Sequence, residues 1–474
     1  MRAHEAGALH AGAGQRGPSW LREPEDVNAL VPALWAGNVD RGGGGMLRVA
    51  GLPVTELAAE FGTPAFVLDE QDFRARAREF RDAFGTAFGA VGPGADVFYA
   101  GKALLCLATA RWIAEEGLGL DVCTGGELAV AERSGFPMDR VAMHGNNKSV
   151  SELSRALDLG VGRIIVDSLD EIERLASLAA ERGTRARVLV RVTVGVEAHT
   201  HEYIATAHED QKFGFSLAGG AAGEAVAAVL ASPSLELLGL HSHIGSQIFD
   251  TSGFEVATRR VVGLHAAVRS EHGVELAELG LGGGYGIAYT TKDDPWPAAE
   301  LAAGMAEIVD HECRGYGVPV PRVSVEPGRA IAGPAGCTLY EVGTVKQVEL
   351  DGGTSRNYVA VDGGMSDNVR TALYDADYSC TLASRRSDAP PVLSRVVGKH
   401  CESGDIVVKD EFLPADVRPG DLLAVPGTGA YCRSMASTYN HVPRPPVVAV
   451  KDGTARVIVR RETEGDLLRL DAPE

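Results

Sequence analysis

Lys102 stands just after a short apolar run at residues 97–100, Val-Phe-Tyr-Ala, which is predicted to be a buried strand. Burial disfavours a charged amine and lowers its pKa, so the amine becomes a usable nucleophile. The chemistry that uses such an amine is Schiff-base formation, either with a carbonyl substrate or with pyridoxal phosphate. The alternative is that Lys102 caps the strand and extends its amine to water. The lysine alone leaves both interpretations open.

Two glycine-rich stretches that follow predicted strands can bind a phosphate group. A triple glycine stands at residues 282–284, and Gly328 precedes Arg329. Backbone N–H groups of such loops bind phosphate in barrel proteins, while Ser246 and Arg329 can add a hydroxyl and a fixed positive charge. A triple glycine by itself is more typical of a tight turn. Beside a strand-end lysine, however, the phosphate interpretation is favoured.

Glu326 and His243 extend this chemistry to a cofactor ring. A carboxylate can hold the pyridine nitrogen of pyridoxal phosphate protonated, which strengthens the ring as an electron sink. A histidine such as His243 can stack on the face of the same ring. The competing interpretations are a salt bridge between Glu326 and Arg329 and a satisfied core position for His243.

Further candidates lie in polar or glycine-rich loops of the last third of the chain. Loops that follow apolar runs are where binding residues concentrate. These loops are residues 362–370 with the nearby Tyr374, residues 400–405 and residues 427–431. A metal site at His199, His201 and His208 lacks tight ligand spacing, so no metal is expected.

The candidates before residue 335 fall near the ends of eight short apolar or β-branched runs, which alternate with Ala-rich helical stretches. The runs lie near residues 97–100, 119–122, 141–143, 163–166, 187–193, 237–243, 276–281 and 321–326. This alternation predicts an α/β fold with a parallel (β/α)8 TIM barrel, whose active-site residues lie at the C-terminal ends of the strands. Most residues at these strand ends are polar, charged or glycine residues, which are the types that bind ligands or take part in catalysis. A barrel without a binding or catalytic function does not explain them.

The pattern after residue 335 changes to short β runs separated by turns rich in Gly, Asp and Pro, which predicts a second, all-β domain. We expect residues 1–24 to be a flexible arm and residues 25–69 to join the β domain. The barrel is then expected to span residues 70–335, and the C-terminal β domain residues 336–474.

Composition restricts the class of protein. A formal net charge of −19 over 474 residues argues against nucleic acid or an anionic membrane as a partner, and no apolar run has membrane-spanning length. Seven scattered cysteines without a C-x-x-C pair suggest reduced thiols in a cytoplasmic protein.

With these residues in place, the chain resembles the pyridoxal-phosphate-dependent diaminopimelate decarboxylases, which join an alanine-racemase-like (fold type III) barrel to a β domain. The resemblance runs from about residue 45 to the end. It rests on the motifs YAGKA, HGNNKS, HSHIGSQ, LGGGYG, EPGRA, DGGMSDNVR with Tyr374, CESGD and GTGAY. The commoner family form of the lysine motif has Val in place of Gly101 and Asn in place of Leu104.

The resemblance implies a role for each candidate. Lys102 should hold pyridoxal 5′-phosphate covalently, with Glu326 at the pyridine nitrogen and His243 on the ring. Cys401 matches the proposed proton donor. The positions matched to the phosphate are Ser246, Gly284, Gly328 and Arg329; those matched to substrate are Arg329, Arg370, Tyr374, Glu402 and Tyr431, of which Tyr431 also matches a cofactor contact.

The implied reaction is decarboxylation of meso-2,6-diaminopimelate at its D-centre to L-lysine and carbon dioxide, the last step of lysine biosynthesis. A decarboxylase of ornithine, arginine or lysine is the nearest alternative, but the planar fork of Arg370 suits a distal carboxylate, whereas a basic substrate would want an acid there. A racemase is disfavoured by Glu326 at the ring nitrogen, and a non-catalytic pyridoxal-phosphate-binding protein would leave Cys401 and Arg370 unexplained.

A homodimer is expected, with Cys401 and Glu402 reaching the cofactor on the partner's Lys102.

Overall fold

The computed structural model describes residues 17–195, 212–350 and 354–472. The three histidines considered for a metal, His199, His201 and His208, lie outside the described residues. The chain divides into two compact units. One contains Arg74–Gly286 and Pro295–Ile331, and the other contains the residues up to Phe73, the segment Ile287–Asp294 and the residues from Ala332 onward. We call them the barrel unit and the β unit.

The chain begins with small elements of the β unit. Three short antiparallel strands form a separate sheet: β1 (Val39–Arg41), β2 (Leu47–Val49) and β3 (Leu52–Pro53). The helix Val54–Phe61 and strand β4 (Ala65–Asp69) follow, and then the long helix Glu70–Val91.

Eight parallel strands close into the barrel, which confirms the predicted fold. They are β5 (Ala95–Ala100), β6 (Gly119–Val122), β7 (Val141–Met143), β8 (Arg163–Val166), β9 (Ala186–Thr193), β11 (Leu235–His241), β12 (Glu278–Gly280) and β13 (Arg322–Val325). Each pairs with the next, and β13 pairs with β5 to close the ring. The short strand β10 (Phe215–Ser216), which the sequence did not predict, adds to β9.

Helices follow most barrel strands and bury one apolar face each. Their bounds are Leu107–Glu115, Gly125–Ser134, Val150–Leu159, Leu169–Glu181, Ala221–Ala231, Ser252–His272, Ala298–Tyr316 and Arg329–Ala332. Val150–Leu159 shows the local cause: Ser149 and Glu152 form a capping box at its start, Gly160 ends it in a left-handed conformation, and Leu153 and Ala156 are buried. Such caps fix where the loop from the preceding strand must end.

The β unit contains a large sheet in which β4 is a central strand. The remaining strands are β14 (Gly336–Leu350), β15 (Thr354–Val361), β16 (Thr381–Leu382), β17 (Pro391–Val397), β18 (Ile406–Pro414), β19 (Leu422–Pro426), β20 (Val447–Lys451) and β21 (Thr454–Val459). The order is β18-β17-β15-β14-β4-β20-β21, with β19 pairing both β14 and β16. Two short helices, Arg370–Tyr374 and Glu464–Leu468, complete it.

The core of the β unit is built from residues distant in sequence. Leu57, Val67, Leu339, Ala424 and Val448 belong to one buried apolar cluster. None of the helices in the described ranges is long and apolar enough to cross a membrane.

Candidate active site

The predicted cofactor residues of the barrel unit all lie just beyond the C-terminal ends of its strands. They are Lys102 after β5, His243 and Ser246 after β11, Gly284 after β12, and Glu326, Gly328 and Arg329 after β13. Because the strands are parallel, these ends form one rim of the barrel. The rim therefore gathers residues that are far apart in sequence.

Lys102 lies in a single turn, Gly101–Ala103, that follows the buried end of β5. Its side chain is exposed, so the expectation that strand burial desolvates the amine is wrong; the turn carries the side chain past the end of the strand. The amine still belongs to the rim's charged cluster. Burial and, after it, the positive charge of Lys102 lower the pKa of His243 to about 3.

Glu326 is largely removed from water, with one histidine hydrogen-bonded to it and a second histidine nearby. Nε2 of His241, the last residue of β11, lies 2.9 Å from Oε1 of Glu326, and Nε2 of His144 lies 3.4 Å from the same oxygen. Burial alone would raise the pKa of Glu326, but His241, which is the largest opposing influence and also hydrogen-bonds the carboxylate, lowers it below its ordinary value. The carboxylate is therefore ionised at neutral pH.

Asp121, at the third position of β6, is the second carboxyl group of this cluster. Burial, followed by the negative charge of Glu326, raises the pKa of Asp121 well above its ordinary value. Two neighbouring carboxyl groups whose pKa values are pushed apart take different roles. Here the pKa of Glu326 is lowered and that of Asp121 is raised, so a proton in this cluster favours Asp121 over Glu326.

Ser246 and Arg329 supply polar side chains to the loops that are predicted to bind a phosphate. Nη2 of Arg329 donates a hydrogen bond to Oγ of Ser246 at 2.8 Å. Gly284 has φ of +103°, and a Cβ atom there would lie 2.3 Å from the carbonyl oxygen of Gly245. Only glycine allows the loops after β11 and β12 to approach this closely. A hydroxyl, a guanidinium and closely packed loop backbone are the groups that bind a phosphate.

His243 is oriented by the glycine loop. The backbone N–H of Gly283 donates a hydrogen bond to Nδ1 of His243 at 3.2 Å. Nδ1 therefore accepts and carries no proton, in agreement with the lowered pKa of the imidazole. A neutral ring in a fixed orientation is suited to stacking on an aromatic cofactor.

The donor set of the rim fits pyridoxal phosphate. It offers an accessible amine at Lys102, an ionised carboxylate at Glu326 for a protonated ring nitrogen, a neutral imidazole at His243 for the ring face, and Ser246 with Arg329 for a phosphate. Each group matches one functional part of that cofactor.

Arg370 is the best-defined of the predicted substrate residues, all of which except Arg329 lie in the β unit. It is buried at the start of the helix Arg370–Tyr374, and its Nη1 donates to the hydroxyl of Tyr378 at 2.6 Å. Its guanidinium carbon lies 4.7 Å from the ring centre of Tyr289, whose ring meets that of Tyr378 edge to face. Burial opposes the charge, but the two tyrosines more than offset it and raise the pKa of Arg370. The result is a fixed, permanently charged, planar donor.

Tyr374 and Tyr431 differ in their surroundings. Tyr374, at the end of the same helix as Arg370, is 62% exposed. Tyr431 is half-buried and has φ of +63°, in the left-handed region that a bulky residue rarely adopts. Backbone strain of this kind concentrates at functional sites, which supports a role for Tyr431.

Cys401 and Glu402 are exposed in the turn between β17 and β18. The preceding His400 is buried and anchors the turn, because its Nε2 lies 2.9 Å from Oγ of Ser366. The hydroxyl of Tyr439 donates to Oε1 of Glu402. The turn therefore presents a thiol and an oriented carboxylate to solvent from its own unit.

Sequence reasoning missed several residues of these clusters. Asp121 was given no role, and His144 and His241 were considered only as residues at strand ends, within the motifs HGNNKS and HSHIGSQ. Their position at strand ends was the signal that could have found them. Tyr289 carried no local signal, since its contact with Arg370 joins segments about 80 residues apart in the sequence. Tyr378 lies only 8 residues after Arg370 and was not recognised as its partner.

The comparisons with known proteins agree with this geometry. Residues 70–333 match the family model described as "Pyridoxal-dependent decarboxylase, pyridoxal binding domain". A protein of Mycobacterium tuberculosis named diaminopimelate decarboxylase is 59% identical over 93% of this chain and 98% of its own length. A protein of Bacillus subtilis with the same name is 46% identical, over 90% of this chain and 96% of its own length.

A solved structure shows the same fold. The crystal structure of diaminopimelate decarboxylase from M. jannaschii in co-complex with L-lysine superposes with a TM-score of 0.85 at 31% identity. The alignment covers 92% of this chain and 98% of that one.

Proposed function

Because the chain belongs to the diaminopimelate decarboxylase family of pyridoxal-dependent decarboxylases, we propose that it decarboxylates meso-2,6-diaminopimelate at the D-centre. The products are L-lysine and carbon dioxide, and the reaction is the last step of lysine biosynthesis. The observation that carries this function is the barrel rim, where an ionised Glu326 and Lys102 occupy neighbouring strand ends.

Each barrel residue has a task in this reaction. Pyridoxal phosphate supplies an electron sink for the pair left behind when the bond from Cα to the carboxylate breaks. Lys102 binds the cofactor through its amine, and Glu326 keeps a proton at the ring nitrogen. His243 orients the ring, while Ser246, Arg329 and the backbone at Gly284 and Gly328 bind the phosphate.

Arg370 selects the substrate by its distal carboxylate. A buried guanidinium fixed by Tyr378 and Tyr289 presents a planar pair of N–H donors in a set direction, which matches a carboxylate. A decarboxylase of ornithine, arginine or lysine would place a cationic substrate end against this cation, so the geometry disfavours that alternative. Tyr374, Glu402 and Tyr431 contribute further substrate contacts, and Tyr431 also touches the cofactor.

Cys401 is the proton donor to Cα, and the protein is a homodimer with shared sites. Support comes from the exposure of Cys401 and Glu402, which face away from the core of their own unit. In this proposal they reach the cofactor held by the partner's Lys102. The seven cysteines, all within the described ranges, form no disulfide, which supports a reducing, cytoplasmic location.

The shared site is tested by mixing two inactive variants, Lys102→Ala and Cys401→Ala, under conditions that exchange subunits. A mixed dimer then has one doubly damaged site and one intact site, so activity should recover to about half of wild type per mixed dimer. A failure to recover activity, with exchange verified by differently tagged subunits, would mean that each site is built within one chain.

The function itself is tested by carbon dioxide release from meso-diaminopimelate, compared with ornithine, arginine and lysine at equal concentration. We expect release from diaminopimelate, with L-lysine formed in equal amount. Omission of pyridoxal phosphate from the refolded apoprotein is the control. Faster release from one of the basic amino acids would overturn the substrate assignment.

A further inference from the structure

His144 lies between the two carboxyl groups of the barrel rim. Its Nε2 is 3.4 Å from Oε1 of Glu326 and 3.6 Å from Oδ1 of Asp121. The imidazole follows the end of β7 and is buried, with its ring 5.0 Å from that of His241 in an edge-to-face arrangement. Two imidazoles therefore stand side by side against one carboxylate.

Both histidine contacts reach the same oxygen of Glu326. Nε2 of His241 lies at 2.9 Å from Oε1, a distance at which the nitrogen must carry a proton and donate it to the ionised carboxylate. The contact from His144 falls on Oε1 as well. The second oxygen, Oε2, is thereby left for the pyridine nitrogen.

The Nε2 atom of His144 has no hydrogen-bond partner within bonding geometry, although it is buried. Buried polar atoms are almost always hydrogen-bonded, because leaving one unsatisfied costs free energy. In this place the nitrogen is directed at two carboxyl groups, each a few tenths of an ångström beyond bonding distance. A small shift of Glu326 would complete a second hydrogen bond to Oε1.

The charges around His144 favour a neutral imidazole. Burial, the largest influence, lowers the pKa of His144 well below its ordinary value, and the charge of Glu326 opposes this only in part. His241, Arg191 and Lys148 act in the same direction as burial. A neutral imidazole has a single N–H group, so His144 cannot donate a full hydrogen bond to Glu326 and to Asp121 at the same time.

We propose that His144 is a positioning residue that, together with His241, holds Glu326 through Oε1 and so keeps Oε2 available to the pyridine nitrogen. The inference rests on the proposed function. It assigns no role in bond breaking to His144, which acts through Glu326.

The proposal has a physical consequence for the proton at the ring nitrogen. Without His144, which lies between the two carboxyl groups, Glu326 retains only the hydrogen bond from His241 and can turn toward Asp121, whose pKa is raised by burial and by the charge of Glu326. A carboxylate engaged with Asp121 stabilises a protonated ring nitrogen less strongly, so the ring should lose that proton at lower pH.

Three variants of the holoenzyme test this. His144→Gln places an amide N–H near the position of Nε2, whereas His144→Asn is polar but too short to reach it. His265→Phe is the matched control, because His265 is also buried in the barrel unit with an unpartnered Nε2, yet its charged neighbours are Glu275 and Arg269.

The first readout is the ¹⁵N resonance of the pyridine nitrogen in protein loaded with ¹⁵N-labelled pyridoxal phosphate, followed against pH. We expect wild type, His144→Gln and His265→Phe to keep the ring nitrogen protonated to higher pH than His144→Asn does. The second readout is steady-state kinetics, in which His144→Asn should lower kcat by about tenfold, the order expected for a lost hydrogen bond to a charge, with KM nearly unchanged.

An unchanged nitrogen titration in His144→Asn would overturn the proposal, as would equal shifts in His144→Asn and His144→Gln. The nitrogen readout needs no substrate. If wild type releases no carbon dioxide from meso-diaminopimelate, the proposed function fails while the role of His144 is still decided by the resonance.

Discussion

The barrel rim and the Arg370 cluster each keep a charged group ionised away from bulk water, and they do so by different means. Glu326 is an anion that accepts a hydrogen bond from the imidazole of His241 and has the imidazole of His144 3.4 Å away. Arg370 is a cation held by a hydroxyl and by the faces of aromatic rings at Tyr378 and Tyr289. The anion needs hydrogen-bond donors of defined tautomer, whereas the cation needs electron-rich surfaces.

The difference bears on function. The groups that surround Glu326 are titratable imidazoles, so the charge and the hydrogen bonding of its carboxylate depend on which imidazole nitrogens carry protons. The support of Arg370 includes Tyr378, whose hydroxyl stays protonated because burial raises its pKa well above its ordinary value. We therefore expect the barrel rim to be sensitive to proton position and the Arg370 cluster to be insensitive to it.

The largest effect is expected from Lys102→Ala, which removes the amine that we propose binds the cofactor covalently. Activity should fall by at least about a thousandfold, since no other group replaces a covalent amine. Borohydride reduction followed by peptide mapping should find no labelled peptide in the variant. Lys346→Ala, an exposed lysine of β14, is the control and should label as wild type does. A labelled lysine in the Lys102 variant would refute the assignment.

Glu326→Gln should lower kcat by roughly a hundredfold or more, because it removes the charge that stabilises a protonated ring nitrogen while keeping the size of the side chain. The amide can still accept from His241, so folding should be preserved, which thermal unfolding can check. Activity within about threefold of wild type would show that the anion of the barrel rim is not needed for the electron sink.

Arg370→Ala should cost about 2 to 4 kcal/mol in kcat/KM for diaminopimelate, through loss of charged hydrogen bonds to a carboxylate. Pyridoxal phosphate binding should remain at the wild-type level. Tyr378→Phe, which removes only the hydroxyl that orients the guanidinium, should give a smaller loss of about tenfold or less. Equal losses in both variants would mean that orientation, rather than charge, carries the recognition.

The final effect concerns stability and contrasts Glu326 with Asp367, a buried carboxyl of the β unit. Burial raises the pKa of Asp367 to about 7, against opposing hydrogen bonds from Tyr340 and the N–H of Gly364. The folded state then binds more protons than the unfolded state between about pH 4 and 7, so the free energy of unfolding falls as pH rises through this window.

Asp367→Asn removes that titration while keeping an acceptor for Gly364. The variant should lose less stability than wild type between about pH 4 and 7, by roughly 3 kcal/mol. Urea unfolding at several pH values measures it, with Asp388→Asn, an exposed loop residue, as the control. Parallel curves for wild type and Asp367→Asn would contradict a protonated Asp367.

The two regions also differ in how far the sequence could predict them. The barrel strands followed from short apolar runs, and Glu326, His243 and Lys102 from their place at strand ends, because parallel strands bring such ends to one rim. The exposure of Lys102 could not be predicted, since it depends on the turn after the strand. Tyr289 belongs to the segment Ile287–Asp294, which is part of the β unit although it lies in the sequence between two stretches of the barrel unit. No local sequence pattern indicates that this segment belongs to the β unit.

The central position of β4 has a consequence for biosynthesis on the ribosome. Its neighbours are β14, where Gly336 pairs with Leu68, and β20, where Val447 pairs with Phe66. The strand is therefore translated long before either neighbour, and the large sheet cannot close until the last thirty or so residues of the chain have emerged. The barrel strands, complete by Val325, can associate earlier. The nascent β4 is apolar and stays unpaired until β14 and then β20 have been translated, so it is the segment that we expect chaperones to protect.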